Sequence, residues 1–175
     1  PLAFSFEDGA KVESDRPLEF QLEIAPHENR PVEIGRYIDG VSLLRGVLSG
    51  NVAGSGTPAA PRLSGGLAFT RGELRVVGLE EDFRDIALRV DFIDDVVRLT
   101  SLSAKSGKKG SMVASGWARV SNYRPADYKL DLTLRDFQVS SITDMDIRTD
   151  GNLLVRLVEW NDGRRIPRIT GKLAV

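Results

Sequence analysis

The sequence lacks the residues on which several kinds of functional site depend. None of its 175 residues is cysteine, which excludes a disulfide framework and a thiolate metal site. His27 is the single histidine, so most histidine-dependent catalytic triads and zinc sites are excluded as well. Neither a P-loop nor a G-x-S-x-G motif occurs, and these are signatures of phosphate binding and of serine hydrolases. We therefore predict no cofactor, no metal ion and no enzymatic activity.

The chain also lacks a charge surplus and a long hydrophobic run. Its formal net charge is −1, whereas nucleic-acid binding depends on basic residues that neutralise phosphates. Nucleic acid is therefore not an expected partner. No run of about 18 apolar residues occurs, so the segment is not expected to cross a membrane as a helix. Hydrophobic residues make up 41% of the chain, which is enough for an apolar core or an apolar lining.

Two short motifs resemble functional sites but are better explained as turns. Residues 106–109 (SGKK) match the S-x-x-K motif of penicillin-binding enzymes, yet glycines flank them and no K-T-G or S-D-N partner follows. We interpret them as a solvated hairpin turn whose lysines face water or lipid headgroups. Residues 144–151 (DMDIRTDG) resemble a calcium loop, but the third acid comes two positions late. A strand followed by an Asp-Gly turn explains that segment better.

The dominant pattern is the alternation of apolar and polar residues. It is clearest in residues 85–94 (DIALRVDFID) and 127–136 (DYKLDLTLRD). Such alternation predicts strands with one apolar and one solvated face. The same pattern predicts strands at Leu18–Ile24, Leu63–Phe69, Val97–Ala104, Met112–Val120 and Leu153–Leu157. With weaker segments, the total is roughly ten to twelve strands, and the fold class is all-β.

Turns and a possible helix complete the prediction of secondary structure. Turn residues occur at positions 8–9, 71–72, 107–110 and 162–163. One short helix is possible between Val32 and Leu44, although two glycines within it disfavour a helix.

One predicted strand is unusually rich in glycine. In residues 44–56 (LRGVLSGNVAGSG), glycine alternates with leucine and valine on a single face. Glycine packs nothing and weakens a strand. Either the glycines permit strong curvature of the sheet, or that face borders a space that another group occupies. The two interpretations are compatible.

A nine-residue phrase occurs twice. Pro61–Phe69 reads PRLSGGLAF and Pro167–Val175 reads PRITGKLAV. Gly-Asn-Val precedes the first copy at 50–52, and Gly-Asn-Leu precedes the second at 151–153. The separation of the two copies along the chain fits a repeated module that contains several strands. We expect residues 1–175 to form a single segment of a longer repeated array, with the second phrase forming an exposed edge strand.

The glycine-rich strand and the first copy of the phrase together carry a resemblance to a known family. The order is G-x-L-x-G-x-V-x-G-x-G-T at 46–57, P-x-L-x-G-x-L at 61–67, the alternating strand at 85–92, and VRLTSLSAKSGKKGSMVASG at 97–116. This order resembles the C-terminal region of the TamB family, the translocation and assembly module subunit of Gram-negative bacteria, and the related AsmA-like lipid-transfer proteins. The resemblance covers about three quarters of the chain, from Leu44 onward.

The resemblance implies a fold, a location and partners. The fold would be a long curved antiparallel sheet forming an open trough, a β-taco, with an apolar concave face. The parent protein would be anchored in the inner membrane and cross the periplasm. Its expected partners are phospholipid and an outer-membrane protein of the Omp85 type, similar to TamA. Its expected functions are phospholipid transport between the membranes and support of outer-membrane biogenesis.

The apolar residues of the alternating strands are the candidate functional residues. We expect them to line a groove that carries lipid acyl chains: Leu48, Val52, Leu67, Phe69, Ile86, Leu88, Val90, Phe92, Val97, Leu99, Leu130, Leu132, Leu134, Leu153, Val155 and Leu157. Two alternatives remain open. The chain could act as a chaperone that binds strands of outer-membrane barrel proteins through its sheet edges, or these residues could form the core of a closed structural sandwich. Edge-to-edge self-association of the isolated segment is also possible.

Overall fold

Most of the described part of the chain consists of β-strands. The structure is a computed structural model and describes residues 4–5, 11–12, 18–27, 31–33, 35, 39–57, 60–79, 81–121, 124–138, 148–159 and 164–174. The strands are β1 (Phe4–Ser5), β2 (Lys11–Val12), β3 (Leu18–Ile24), β4 (Val32–Glu33), β5 (Val41–Thr57), β6 (Ala60–Val76), β7 (Phe83–Asp94), β8 (Val96–Ser106), β9 (Gly110–Ser121), β10 (Arg124–Gln138), β11 (Arg148–Glu159) and β12 (Arg165–Ala174). Within these ranges, no helix is long and apolar enough to cross a membrane.

Ten of the strands form one antiparallel sheet. Its order is β12-β11-β10-β9-β8-β7-β6-β5-β3, and β4 also pairs with β5 beyond the end of β3. The remaining strands, β1 and β2, form a separate two-stranded sheet. From β5 to β12, each strand pairs with the next strand along the chain, so the sheet is a meander of hairpins. Its first and last strands do not pair with each other, and the sheet is therefore not a closed barrel.

The alternation in the sequence located the strands correctly. Every segment predicted from that pattern lies within an observed strand, and Leu18–Ile24 coincides with β3. The turn at residues 107–110 is the hairpin between β8 and β9. The all-β fold class is confirmed, and so is the prediction that the sheet is a large antiparallel one that stays open.

Two local predictions differ from the structure. The possible short helix between Val32 and Leu44 was given bounds that are too wide, because β4 occupies Val32–Glu33 and β5 begins at Val41, whereas Gly35 between them has a 3-10 helical conformation. Residues 34 and 36–38, as well as the turns predicted at 8–9 and 162–163, lie outside the described residues. The turn predicted at 71–72 lies inside β6, where Arg71 has a positive φ of 52° within a register shift. It is a bulge that bends a continuous strand.

Bulges of this kind recur in neighbouring strands. Asp85 in β7 and Asp136 in β10 also have positive φ, 51° and 47°, and each lies at a register shift. Aspartate adopts this conformation more readily than most residues. A bulge bends its strand and increases the local twist. The three bulges therefore bend the sheet where these strands approach one end of it.

The sheet buries few of its apolar side chains. Among the described residues only seven hydrophobic side chains are buried, namely Val47, Phe69, Phe83, Ile86, Ala104, Ala114 and Phe137. A closed sandwich of this length would bury many more, since two sheets would cover each other's inner faces.

Candidate functional site: the apolar face of the sheet

The strand registers bring the sixteen predicted apolar residues to one face of the sheet. Residues directly opposite each other on paired strands lie on the same face. One row across the sheet is Leu48, Phe69, Leu88, Leu102, Ala114, Leu132 and Leu153, and the next is Leu67, Val90, Leu99, Gly116, Leu130 and Val155. The other predicted residues lie on the same face, to either side of these two rows. On one side are Val52, Phe92 and Val97, and on the other are Ile86 and Leu134; Leu157 lies at the far end of β11. We call this surface the apolar face.

Most of these sixteen side chains are half-buried. Phe69 and Ile86 are buried, at 9% and 8% exposure, and the other fourteen are intermediate. None belongs to the exposed class. Neighbouring side chains on the same face cover each residue from the sides, and no other described part of the chain forms a second layer above them. The face is thus a continuous apolar surface that remains accessible.

The apolar face is closed at one end by a small core. Phe69, Phe83, Ile86, Ala104 and Phe137 form this end cluster, and partly buried residues such as Leu88, Met112 and Leu134 pack against it. The rings of Phe83 and Phe137 stack with centroids 5.5 Å apart and planes 3° from parallel.

This ring contact requires a curved sheet. Phe83 belongs to β7 and Phe137 to β10, which are three strands apart and would be separated by about 14 Å in a flat sheet. The hydroxyl of Ser106 in β8 also donates to the Gln138 carbonyl in β10, across the intervening β9. At this end the sheet curls toward its apolar face, which is therefore concave there.

Three glycines of β5 and β6 make room for aromatic rings. A side chain at Gly46 would overlap the ring of Phe69, and one at Gly72 would overlap the same ring and Ile86. Likewise, the ring of Phe20 lies over Gly54. Aromatic rings that cover strand glycines stabilise sharply curved sheets. Part of the space left by these glycines is thus filled from within the chain, which favours curvature as their role.

The two copies of the repeated phrase form hairpins with the same register. In the first hairpin Gly50 pairs with Leu67 and Val52 with Gly65, and in the second Gly151 pairs with Leu173 and Leu153 with Gly171. A methyl group on Gly65 would overlap the Asn51 carbonyl oxygen, and one on Gly171 would overlap that of Asn152. The repeated Gly-Asn and Gly-x-Leu sequences therefore encode the same close approach of two strands. β12 is the structural counterpart of β6.

The opposite face of the sheet carries charged side chains. Arg89 and Lys129 are exposed there, as the alternation predicted, and Lys129 lies 2.9 Å from Asp131. Trp117 also lies on this polar face, half-buried and opposite Arg98 and Lys129. Trp160 lies outside the described residues. The sheet is therefore amphipathic across its thickness.

Two carboxylates near the end cluster have lowered pKa values. Two hydrogen bonds from Arg75, the shorter to Oδ2 at 2.5 Å, lower the pKa of Asp82. A hydrogen bond from Lys105, 2.8 Å long, lowers the pKa of Asp85. Both pairs are well exposed. They link Arg75 near the end of β6 to Asp82 just before β7, and Lys105 of β8 to Asp85 in the β7 bulge.

The motifs that resembled catalytic or metal sites do not form them in the described residues. Ser106 is fully buried and hydrogen-bonded to a backbone carbonyl, so its hydroxyl is not available as a nucleophile. No group of three or more potential metal ligands occurs in this part of the chain. Of the calcium-like segment, residues 144–147 lie outside the described residues, and Asp150 accepts a hydrogen bond from the Asp136 backbone N–H.

Several residues of the apolar face were missed by the sequence analysis. Strict alternation from Val97 and Leu99 would place Ser101 and Ser103 on the apolar face. A register shift between Leu99 and Leu102 instead places Leu102 and Ala104 there. Phe83 and Phe137 were missed for the same reason, since a bulge separates each from the last residue in phase. One signal for them was available in the sequence. Phe83 and Ile86 are apolar residues three positions apart, as are Leu134 and Phe137, whereas regular alternation spaces apolar residues by two.

Comparison with known proteins gives one match. Residues 100–175 match the family model described as the TamB C-terminal domain. No curated protein and no solved structure matches the chain. The matched range covers β9 to β12 and most of β8, and it includes the second copy of the repeated phrase.

Proposed function

Through residues 100–175 the chain belongs to the TamB family, and on this premise we propose that its apolar face carries phospholipid acyl chains between the two membranes. As the resemblance in the sequence implies, this family acts as a transport and assembly module of the Gram-negative cell envelope. The observation that carries the proposal is the accessible apolar face, which spans neighbouring strands from β5 to β11 and has no covering layer among the described residues. The hydrophobic effect is non-directional, so any apolar ligand of suitable size can cover such a surface. An acyl chain is a ligand of this kind, because it is apolar and forms no hydrogen bonds.

The location and partners follow from the same premise. We propose that the segment belongs to a longer array that is anchored in the inner membrane and crosses the periplasm. An outer-membrane protein of the Omp85 type, similar to TamA, would receive the distal end. In this arrangement the polar face, with exposed residues such as Arg89 and Lys129, contacts water while the apolar face contacts lipid.

The test compares two charge substitutions on neighbouring strands. Leu132→Asp places a carboxylate on the apolar face, away from the end cluster, and Val113→Asp places one on the polar face, where Val113 is 52% exposed. The chain is incubated with phosphatidylethanolamine and phosphatidylglycerol vesicles that contain a phospholipid with a photoactivatable acyl chain. We expect Leu132→Asp to reduce crosslinking several-fold, because a buried carboxylate without a partner is costly in hydrocarbon, and Val113→Asp to leave it unchanged.

The same experiment separates carriage from a closed core. Leu88→Arg serves as a folding reference, because Leu88 packs against the end cluster and a charge there should unfold the protein. Circular dichroism should show native strand content for Leu132→Asp and its loss for Leu88→Arg. Equal crosslinking of both aspartate variants, or no lipid capture by the unmodified chain, would remove the lipid proposal.

A second function, the binding of strands from outer-membrane barrel proteins during their assembly, is favoured by one observation. β12 pairs only with β11 among the described residues, which leaves one backbone edge of the sheet available. An edge of this kind binds an extended segment by adding it as a further strand. This function uses the sheet edge and not the apolar face, so the two functions are tested separately.

A further inference from the structure

Basic residues are concentrated in the second half of the chain. Residues 1–95 include 10 lysines and arginines and 17 aspartates and glutamates, whereas residues 96–175 include 14 and 8. The net charge of −1 is therefore the balance of an acidic part, at −7, and a basic part, at +6. An asymmetry of this size indicates that the basic part, which holds β8 to β12, meets an anionic partner.

The strand registers gather four of these cations into one row on the polar face. Arg98 of β8 lies opposite Trp117 of β9, and Trp117 lies opposite Lys129 of β10. Arg156 of β11 and Arg168 of β12 continue the row. The four cationic side chains are exposed, and Trp117 between them is half-buried. We call these five residues the basic row. Neighbouring strands are about 4.8 Å apart, so the basic row is about 19 Å long.

Part of the basic row places like charges directly opposite each other. Lys129 faces Arg156 across β10 and β11, and Arg156 faces Arg168 across β11 and β12. Like charges in opposed positions destabilise an antiparallel pair. Among the described residues, only Lys129 of these three forms an ion pair, with Asp131 at 2.9 Å. The arrangement therefore costs the isolated sheet stability, and an anion bound to the row would offset that cost.

The length and the composition of the basic row favour a membrane surface as this anion. A single phosphate is too small to contact a row about 19 Å long, whereas an anionic bilayer presents phosphates over a whole surface. Guanidinium groups bind phosphate oxygens in a bidentate manner, and tryptophan is enriched at the level of lipid headgroups. The position of Trp117 among the cations favours a bilayer over an acidic polypeptide, for which the charges alone would suffice.

We propose that the basic row docks the segment on an anionic phospholipid surface, with its cations on headgroup phosphates and Trp117 at the headgroup level. The headgroup layer is hydrated, so this contact is compatible with a solvated polar face. The inference goes beyond the carriage of acyl chains, because it uses the opposite face of the sheet and needs no lipid on the apolar face.

The test measures flotation of the chain with vesicles that contain phosphatidylglycerol and phosphatidylcholine in equal parts, or phosphatidylcholine alone. The test variant combines Arg156→Gln with Arg168→Gln. Each Lys or Arg near an anionic surface strengthens binding about fivefold, so we expect this variant to bind the anionic vesicles about 25-fold more weakly. The matched control combines Arg62→Gln with Arg89→Gln, which removes the same charge from exposed residues of the polar face in β6 and β7. It should change binding by less than about threefold, because screening limits the reach of a distant charge.

Trp117 reports the contact directly. In a Trp160→Phe chain Trp117 is the single tryptophan, and its fluorescence emission should shift to shorter wavelength with the anionic vesicles and not with phosphatidylcholine alone. Unchanged emission from a chain that floats with the anionic vesicles would place the contact elsewhere and would refute the proposal. Equal binding by the test variant and the matched control would refute it as well.

Competition distinguishes the membrane from other anions. Inorganic phosphate is compared with chloride at equal ionic strength, and polyglutamate is added at the charge concentration of the phosphatidylglycerol. We expect neither to displace the chain from the anionic vesicles. Displacement by phosphate would identify a site for free anions, and displacement by polyglutamate would identify an acidic polypeptide as the occupant; either result would overturn the proposal. Leu132→Asp, on the apolar face, should float like the unmodified chain, so failure of docking and failure of lipid carriage remain distinguishable.

Discussion

The contact between Phe83 and Phe137 exists only if the sheet is curved, so a double-mutant cycle on these two residues tests the curvature. The two rings are 9% and 6% exposed and stack at 5.5 Å. Truncation of a buried phenylalanine to alanine costs about 3–5 kcal/mol, and we expect about 3 kcal/mol for each single variant, because the end cluster is small. Stacked aromatic pairs contribute about 0.5–1.5 kcal/mol beyond their burial. The double variant should therefore cost less than the sum of the two single variants by about that amount.

The assay is urea unfolding followed by circular dichroism, and Phe92 provides a matched control. Phe92 is a phenylalanine of the same strand and the same face, but it lies nine residues from Phe83 and is only half-buried. Phe92→Ala should cost about 1 kcal/mol and should combine additively with Phe137→Ala, within about 0.5 kcal/mol. Additivity of Phe83→Ala and Phe137→Ala to the same precision would mean that β7 and β10 do not meet, and the inferred curl of the sheet would then be wrong.

Three further predictions concern the hairpins, the polar face and acid stability. Gly65→Ala should lower the free energy of unfolding by about 1–3 kcal/mol, because Gly65 has a φ of 105° and its added methyl group would overlap the Asn51 carbonyl oxygen. Gly171→Ala should lower it less, because β12 lies at the edge of the sheet and can shift. The midpoints of urea unfolding measure both effects. Arg89→Ala should change the free energy of unfolding by less than about 0.5 kcal/mol, as substitutions at exposed sites usually do. A loss of several kcal/mol would contradict the assignment of Arg89 to the polar face. The lowered pKa of Asp82 contributes stability above the unfolded pKa of about 4 that is lost as the pH falls through the folded pKa. Acidification from pH 7 to about pH 3 should therefore lower the urea midpoint of the unmodified chain more than that of Asp82→Asn, and equal losses would show that the pair with Arg75 does not stabilise the fold.

The free edge of β12 also has a consequence for the isolated chain. An accessible strand with exposed apolar residues pairs readily with another chain. We expect concentration-dependent dimers in sedimentation experiments, reduced by Ile169→Lys, which places a charge on the edge strand. A monomer at all concentrations would indicate that residues outside the described ranges protect this edge.

The amino-acid sequence alone determined the strands, their two faces and the equivalence of the two strands that carry the repeated phrase. Alternation has a period of two, which is a local property of an extended chain, and it assigned Leu88, Val90, Leu130 and Leu132 to one face without any knowledge of their neighbours. The repeated phrase indicated two equivalent strands, and the registers of β5–β6 and β11–β12 agree with it. Each of these inferences depends on residues that are adjacent in sequence or joined by one hairpin.

Only the tertiary structure decided how the sheet bends and where its apolar face is closed. The bulges at Arg71, Asp85 and Asp136 interrupt the alternation, and each returns a later apolar residue to the inner face. The stacking of Phe83 on Phe137 depends on the bends accumulated over four strands, and no local pattern records that sum. The choice between a closed core and an open face was likewise decided only in three dimensions, because the same alternating leucines and valines satisfy both. What distinguishes the two is whether a second layer lies over the apolar face, and among the described residues only the end cluster is covered.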